Sequence, residues 1–183
     1  MNDPEPQTLT RNSAFSYTCN RCMSCCHDAH IALDPYEIAR LARNLRISTT
    51  EFIAEYLIEG GIVLRNKHGG ACGLLGDGAC SVYQDRPLVC RTYPLRRRSG
   101  VGGEEFIKPR GLLPTGKGIL GESGTVEGFL KGHDIAPFVA ASDRYFGLVQ
   151  HVIEALGRMI RSTPGLFAPI RDMMQLHFKF RTS

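Results

Sequence analysis

Apolar residues recur at helical spacing after two strong helix-start signals in the first third of the chain. In the first signal Asp34 can cap a helix, Pro35 suits its first turn, and Glu37 can complete a capping box. The second signal, S-T-T-E over residues 48–51, has the same form. The pattern predicts two amphipathic helices, with these apolar faces: Ile38, Leu41, Ala42 and Leu45 in the first, and Phe52, Ile53, Tyr56 and Leu57 in the second.

The C-terminal third shows the same helical spacing. Apolar residues recur from Asp143 to about Arg161, and Thr163-Pro164 then starts a last helix. Residues 62–64 are β-prone but form only a short run. We therefore predict a mainly α fold, in which a single small domain contains an irregular, loop-rich segment that bears the cysteines.

The distribution of residue types divides this domain into four stretches. Residues 1–16 are polar and contain prolines, which predicts a flexible lead-in. Residues 17–98 hold every cysteine and form the predicted metal-binding region. Residues 99–124 contain eight glycines and few large apolar residues, which predicts a Gly-rich loop. Residues 125–183 are the predicted C-terminal helical part of the same domain.

The overall composition is that of an ordinary globular protein. The chain has 183 residues, 43% hydrophobic and 22% charged, which excludes wholesale disorder, collagen and a repeat array. No apolar run approaches the roughly 18–20 residues that cross a bilayer, and the polar start lacks the apolar h-region of a signal peptide. We expect a soluble, cytoplasmic protein with no membrane partner. A net charge of +4, counted with neutral thiols, gives little reason to expect a nucleic-acid partner.

Four of the seven cysteines lie within residues 19–26, in the pattern C-x2-C-x2-C-C. An odd number of cysteines in a chain without an export signal argues against a disulfide framework and for metal binding. Three thiolates at two-residue spacing are the arrangement with which ferredoxin-type proteins hold an iron–sulfur cluster, whereas a zinc site more often takes two cysteines from each of two knuckles. The spacing therefore favours iron or iron–sulfur over zinc.

The other cysteines are spaced widely enough to lie on a loop that folds back over the first group. Soft thiolate ligands select zinc, copper(I) or iron–sulfur sites. The nearby His27 and His30 are predicted to be neighbours of the site rather than ligands. The predicted metal ligands are the full set of cysteines: Cys19, Cys22, Cys25, Cys26, Cys72, Cys80 and Cys90.

The residues around these cysteines complete a longer pattern. Leu74 follows Cys72, and residues 80–94 read C-x-V-Y-x-x-R-P-x-x-C-R-x-Y-P. Together with the first cluster, this pattern resembles the YkgJ-like cysteine-cluster family (CxxCxxCC), to which zinc or iron chelation is ascribed. The resemblance covers residues 17–95 and implies a metal or iron–sulfur site at the seven cysteines. The other matching residues are Val82, Tyr83, Arg86, Pro87, Arg91, Tyr93 and Pro94.

Three functions are consistent with this pattern. The leading hypothesis is a metal-binding protein that holds iron or an iron–sulfur cluster, is redox-active, and meets a protein or redox partner. The second is a structural zinc module that presents helices to a protein partner. The third is a metal-dependent enzyme that oxidises or modifies proteins, because a flagellin lysine N-methylase carries a related cysteine domain. Arg86 and Arg91 are placed in sequence to donate hydrogen bonds to sulfur or to an anionic substrate.

Overall fold

The computed structural model describes residues 6–100, 103–109 and 116–162, and these residues form a mixed α/β fold. Of the described residues, 43% are helical and 25% are extended in strands or bridges, so the prediction of a mainly α fold is wrong. The chain divides into two compact units, Met1–Asp143 and Arg144–Ser183. Within the described residues, no helix is long and apolar enough to cross a membrane.

The described elements alternate between helices and short antiparallel strands. In chain order the elements are β1 (Gln7–Leu9), β2 (Ala14–Thr18), α1 (Pro35–Leu45), α2 (Thr49–Tyr56), β3 (Leu57–Ile58), β4 (Val63–Leu64), α3 (Leu88–Thr92), β5 (Arg96–Gly100), β6 (Gly103–Lys108), β7 (Ile119–Thr125), α4 (Val126–Gly132) and α5 (Ala136–Ser162). The described strands form three small sheets, with the strand orders β1-β6-β5, β2-β7 and β3-β4.

The glycines of β7 explain why the strands were missed. β7 pairs with β2, and Gly121 in β7 and Gly118 just before it lie against side chains of β2. A Cβ atom at Gly121 would lie 2.7 Å from Ser16 Oγ, and one at Gly118 would lie 2.3 Å from Tyr17 Oη. Glycine here permits close approach between strands, whereas the sequence pattern was interpreted as chain flexibility. Without alternating apolar residues, the segment gives no strand signal.

The basic run at 96–98 is also a strand rather than a loop. Its central residue, Arg97, is 10% exposed and donates to Glu104 of β6 and to both carboxylate oxygens of Asp143, at 2.8 Å each. Arg11, which follows β1, also pairs with Glu104. These ion pairs link the segment after β1 to β5 and β6, and carboxylates accept the hydrogen bonds of the Arg97 side chain.

The two N-terminal helices confirm their sequence signals. Asp34 caps α1 and forms a capping box with Glu37, and Ser48 forms the equivalent box with Glu51 at the start of α2. α5 includes the helix predicted from Asp143 onwards but begins earlier. The helix predicted after Thr163-Pro164 lies outside the described residues.

Two apolar clusters form the interior of the Met1–Asp143 unit. The first contains most of the apolar residues predicted for α1 and α2, with Leu64, Leu74 and Cys72. Ile53, which was predicted to lie on the apolar face of α2, is 40% exposed. Cys26, Cys80 and Cys90 pack against the same cluster. The second cluster joins β1, β2, β6 and α4, with this buried set: Leu9, Phe15, Leu95, Phe106, Val126, Leu130 and Ile135. The first cluster is therefore the support on which the cysteine site is built.

Candidate metal centre

A tight turn after β2 positions the first group of cysteines. Met23 adopts the left-handed backbone conformation (φ 58°) and leads into a single 3₁₀ turn, Ser24–Cys26. The Cys26 amide donates to the Met23 carbonyl at 2.8 Å, which closes this turn. As a result the sulfurs of Cys25 and Cys26 lie 4.0 Å apart, within hydrogen-bonding reach of each other.

The second group reaches the first through backbone hydrogen bonds, as the sequence predicted for a loop that folds back. The Cys72 amide donates to the Cys26 carbonyl at 2.7 Å, so residues 26 and 72 are in direct contact. Cys80 is paired with Leu75 by an isolated β-bridge, which returns the loop towards Cys72. Cys90 arrives on α3. Three separate chain segments thus converge.

Five cysteines, Cys25, Cys26, Cys72, Cys80 and Cys90, form what we call the inner cysteines. Their thiols lie close enough for the charge of one to change the pKa of another. The hydrogen bond shared with Cys25, then burial, then the charges of the neighbouring thiols, raise the pKa of Cys26. Burial, followed by the charges of Cys72, Cys25 and Cys80, raises the pKa of Cys90. Burial raises the pKa of Cys72, and Cys80 adds to this effect.

The donor chemistry of the inner cysteines fits iron or zinc. Both metals accept soft thiolate ligands, and four of the five inner cysteines, all except Cys25, belong to or pack against an apolar cluster. Within the described residues, however, no group of three or more His, Cys, Asp or Glu side chains stands at metal-binding distances. The described residues therefore include neighbouring thiol groups that could serve as soft ligands, but three or more of them do not surround one metal position.

Cys19 and Cys22 form the outer cysteines, at the exposed edge of the same region. Cys19 is exposed and Cys22 is partly exposed. The Lys117 amide, which precedes β7, donates to Cys22 Sγ at 3.3 Å, and the hydroxyl of Ser24 lies 3.4 Å from the same sulfur. These hydrogen bonds favour the thiolate and lower the pKa of Cys22 to about 7. No pattern in the sequence around Cys22 indicates its contact with the Lys117 amide.

We expect Cys22 of the metal-free protein to react with iodoacetamide at half its maximal rate near pH 7. An ordinary cysteine reaches this point near pH 8.5, because only the thiolate attacks. The pKa is lowered in the folded state, so denaturation is expected to move the midpoint upwards. Alkylation followed residue by residue with mass spectrometry measures this midpoint.

The variant S24A provides the control, because it removes one donor and is expected to raise the midpoint. A midpoint at the ordinary value in the folded wild-type protein would contradict the hydrogen bonding described for Cys22.

A family model described as "CxxCxxCC: Putative zinc- or iron-chelating domain" matches residues 18–110, a segment that contains all seven cysteines. The chain belongs to this family. The resemblance stated from the sequence is thus confirmed, and the domain is of the zinc- or iron-chelating class. No curated protein and no solved structure matches the chain.

The structure also places the histidines and arginines that the sequence analysis singled out in the CxxCxxCC domain. His27 and His30 are exposed, and His27 Nδ1 donates to the Met23 carbonyl at 3.1 Å. The hydrogen bonds of Arg86 and Arg91 go to backbone carbonyls and to His133 rather than to sulfur.

Tyr17 borders the cysteines and was missed by the sequence interpretation. Burial, then the charges of Cys19, Tyr93, Cys25 and Cys22, raise the pKa of its hydroxyl. Its ring meets that of Tyr93 edge to face at 5.9 Å. In the sequence, the position of Tyr17 two residues before Cys19 indicates that its side chain can lie near the cysteines. Tyr17 and Tyr93 cover one side of the turn that carries the first cysteines.

Proposed function

We propose that this protein binds iron through its inner cysteines, either as an iron–sulfur cluster or as a thiolate-ligated iron ion. The observation that supports the proposal is the convergence of five thiols from three chain segments. The 3₁₀ turn supplies Cys25 and Cys26, the following loop supplies Cys72 and Cys80, and α3 supplies Cys90.

The electrostatics of this cluster favour a bound cation. The hydrogen bond shared with Cys25 raises the pKa of Cys26, and burial with the charges of neighbouring thiols raises the pKa values of Cys72 and Cys90, because several neighbouring thiolates repel one another. A metal ion would offset these charges, and its binding would release protons because the ligand is the thiolate. Metal affinity is therefore expected to rise with pH.

The surrounding residues would hold and shield such a metal. The first apolar cluster fixes Cys72 and supports three further thiols, while Tyr17 and Tyr93 reduce access of water from the β2 side. Bound iron would supply one-electron chemistry, whereas bound zinc would supply structural stabilisation. Hydrophobic shielding of this kind influences redox potential and solvent access in metal sites.

We also propose that a redox or other protein partner approaches at the outer cysteines. Cys19 is exposed and Cys22 is partly exposed, so the edge of the cluster that they form is accessible from solvent. In contrast, Cys26, Cys72, Cys80 and Cys90 belong to or pack against the first apolar cluster. A partner that exchanges electrons with the site would have its shortest approach at this exposed edge.

A structural zinc site is the second candidate function, favoured by the way in which the cysteines join distant segments. A single ion held by Cys26, Cys72 and Cys90 would tie the turn after β2 to the loop and to α3. Metal binding would then be coupled to folding, and a chelator would unfold the domain.

Iron, zinc and acid-labile sulfide contents of full-length protein purified without oxygen test the proposal, with a visible spectrum recorded alongside. Iron with sulfide in a brown sample supports an iron–sulfur cluster. Iron without sulfide supports a thiolate-ligated ion and strengthens the enzyme hypothesis. Stoichiometric zinc in a colourless sample would overturn the iron assignment in favour of the structural site, and a protein without metal would contradict both.

A further inference from the structure

A cavity of about 660 Å³ lies between α1, the segment that precedes α3, and the start of α5. Its volume is in the range of small-molecule sites. We call it the arginine pocket, because three guanidinium groups line it, together with aromatic rings. The lining residues used below are Tyr36, Arg40, Tyr83, Arg86, Arg91 and Phe138.

The hydrogen bonds of the three arginines leave much of their charge unbalanced. Arg91 donates to the backbone carbonyls of Gln84, Arg86 (3.1 Å) and His133 (3.4 Å), all of them neutral acceptors. Arg86 donates to the Tyr83 carbonyl at 2.8 Å and to His133 Nδ1 at 3.4 Å. Within the described residues, neither of these two arginines is paired with a carboxylate.

Arg40 adds a buried donor without an acceptor. Its Nη2 pairs with Asp85, but its Nη1 is buried and has no hydrogen-bond partner. Among the described residues, no other buried side-chain nitrogen or oxygen lacks a hydrogen-bond partner. Buried guanidinium donors are normally hydrogen-bonded, so the unpaired Nη1 shows that the described residues do not satisfy every donor of Arg40, a residue that lines the cavity.

Around Arg91, the guanidinium groups of Arg40, Arg86 and Arg91 itself lie near two carboxylates, those of Asp85 and Asp134. Glu37, whose pKa is raised chiefly by burial, is a further carboxyl group near Arg40. Burial, then the charges of Arg86 and Arg40, lower the pKa of Arg91 to about 10. A cluster of positive charges of this kind attracts anions.

Aromatic rings hold the guanidinium groups in place. Phe138 is contacted by two of them, since the guanidinium carbons of Arg91 and Arg40 lie 3.7 and 3.9 Å from its ring centroid. The guanidinium carbon of Arg86 lies 4.1 Å from the ring centroid of Tyr83. Stacking and backbone hydrogen bonds fix the orientation of these groups before any ligand binds, which reduces the entropy lost on binding.

We propose that the arginine pocket binds the oxyanion group, a phosphate or a carboxylate, of a small ligand. Guanidinium groups pair with both kinds of oxyanion through charge-assisted hydrogen bonds. Tyr36 and Tyr83, 41% and 38% exposed, add aromatic surface to the lining of the pocket. The site is separate from the cysteines in its ligand chemistry, and the proposal does not depend on a bound metal.

Calorimetric titration of the full-length protein with inorganic phosphate and, separately, with acetate tests this proposal, at constant ionic strength set by chloride. The two probes distinguish a phosphate site from a carboxylate site. We expect saturable binding of one probe at millimolar concentrations, and about tenfold weaker binding in R40M and in R86M, because each loses charge-assisted hydrogen bonds. Methionine keeps an apolar stem of similar length over the neighbouring ring.

The matched control is R43M, which removes an exposed arginine from the same helix one turn away and is expected to bind as the wild type does. Metal content is expected to be equal in all of these variants, so failure of this proposal is distinguishable from failure of the metal assignment. Absence of saturable binding for both probes, or equal affinities in R40M, R86M and R43M, would overturn the proposal.

Circular dichroism verifies that each variant is folded. If either pocket variant does not fold, the wild-type protein provides the decisive measurement through the side-chain Nε–Hε resonances of its arginines. Phosphate or acetate is expected to shift the resonances of Arg40 and Arg91 and to leave that of Arg43 in place. Equal or absent shifts would overturn the assignment.

Discussion

Replacing Cys90 by serine is expected to remove most of the metal from the protein, whereas replacing Cys19 by serine leaves most of it bound. Cys90 is partly buried, lies on α3 and is electrostatically coupled to Cys72, Cys25 and Cys80. Loss of a residue that merely supports a ligand lowers metal affinity by about 10–100-fold, so loss of an inner thiolate is expected to cost at least as much. Metal content per chain, measured on both purified variants, gives the comparison.

C19S is the matched control because the chemical change is the same and the residue is exposed at the edge of the site. The thermal unfolding of the two metal-free variants separates ligand loss from damage to the fold, and we expect them to be similar. Equal metal contents in C90S and the wild type would contradict the assignment of the inner cysteines. A larger loss of metal in C19S than in C90S would instead place the metal site at the outer cysteines.

Replacing Glu37 by alanine is expected to lower the free energy of unfolding by about 2–4 kcal/mol, because its carboxylate joins two helices. One oxygen accepts from the Asp34 amide at 3.2 Å and completes the capping box of α1. The other accepts from the Leu88 amide at 2.7 Å, at the start of the helix that carries Cys90. Without the carboxylate, the Leu88 amide loses its acceptor in a partly buried position, and α3 loses its link to α1.

E51A is the matched control, since Glu51 completes the same kind of capping box at an exposed helix start. It has no second helix to hold, so we expect a clearly smaller loss of stability. Denaturant unfolding of both metal-free variants measures the difference. Equal losses would show that the bond between Glu37 and Leu88 contributes little.

The helices of the first unit were predictable because their signals are local. The capping residues at 34 and 48 fix the helix starts, and the three- and four-residue spacing of apolar side chains fixes the buried face. The class of metal site was predictable for a similar reason. Thiols at close spacing have few other uses in a protein without a disulfide framework.

The strands and the electrostatic details depend on contacts that are distant in sequence. Gly121 is required by the proximity of Ser16, which lies more than one hundred residues away, and nothing near Gly121 indicates this. Tyr17 and the Lys117 amide reach the cysteines only once β2 and β7 have paired. Arg86 and Arg91 were predicted to donate to sulfur or to an anionic substrate, and their hydrogen bonds go instead to backbone carbonyls and His133. The structure directs them to a pocket on α1 and α5 that the sequence gives no means to assemble.

X-ray absorption spectroscopy at the edge of the bound metal tests the central claim most directly, using full-length protein purified without oxygen. We expect a first shell dominated by sulfur, at about 2.3 Å, whether the metal is iron or zinc. The C90S variant that retains residual metal should show fewer sulfur neighbours per metal than the wild type. A first shell of oxygen and nitrogen ligands alone would contradict the claim that the inner cysteines hold the metal.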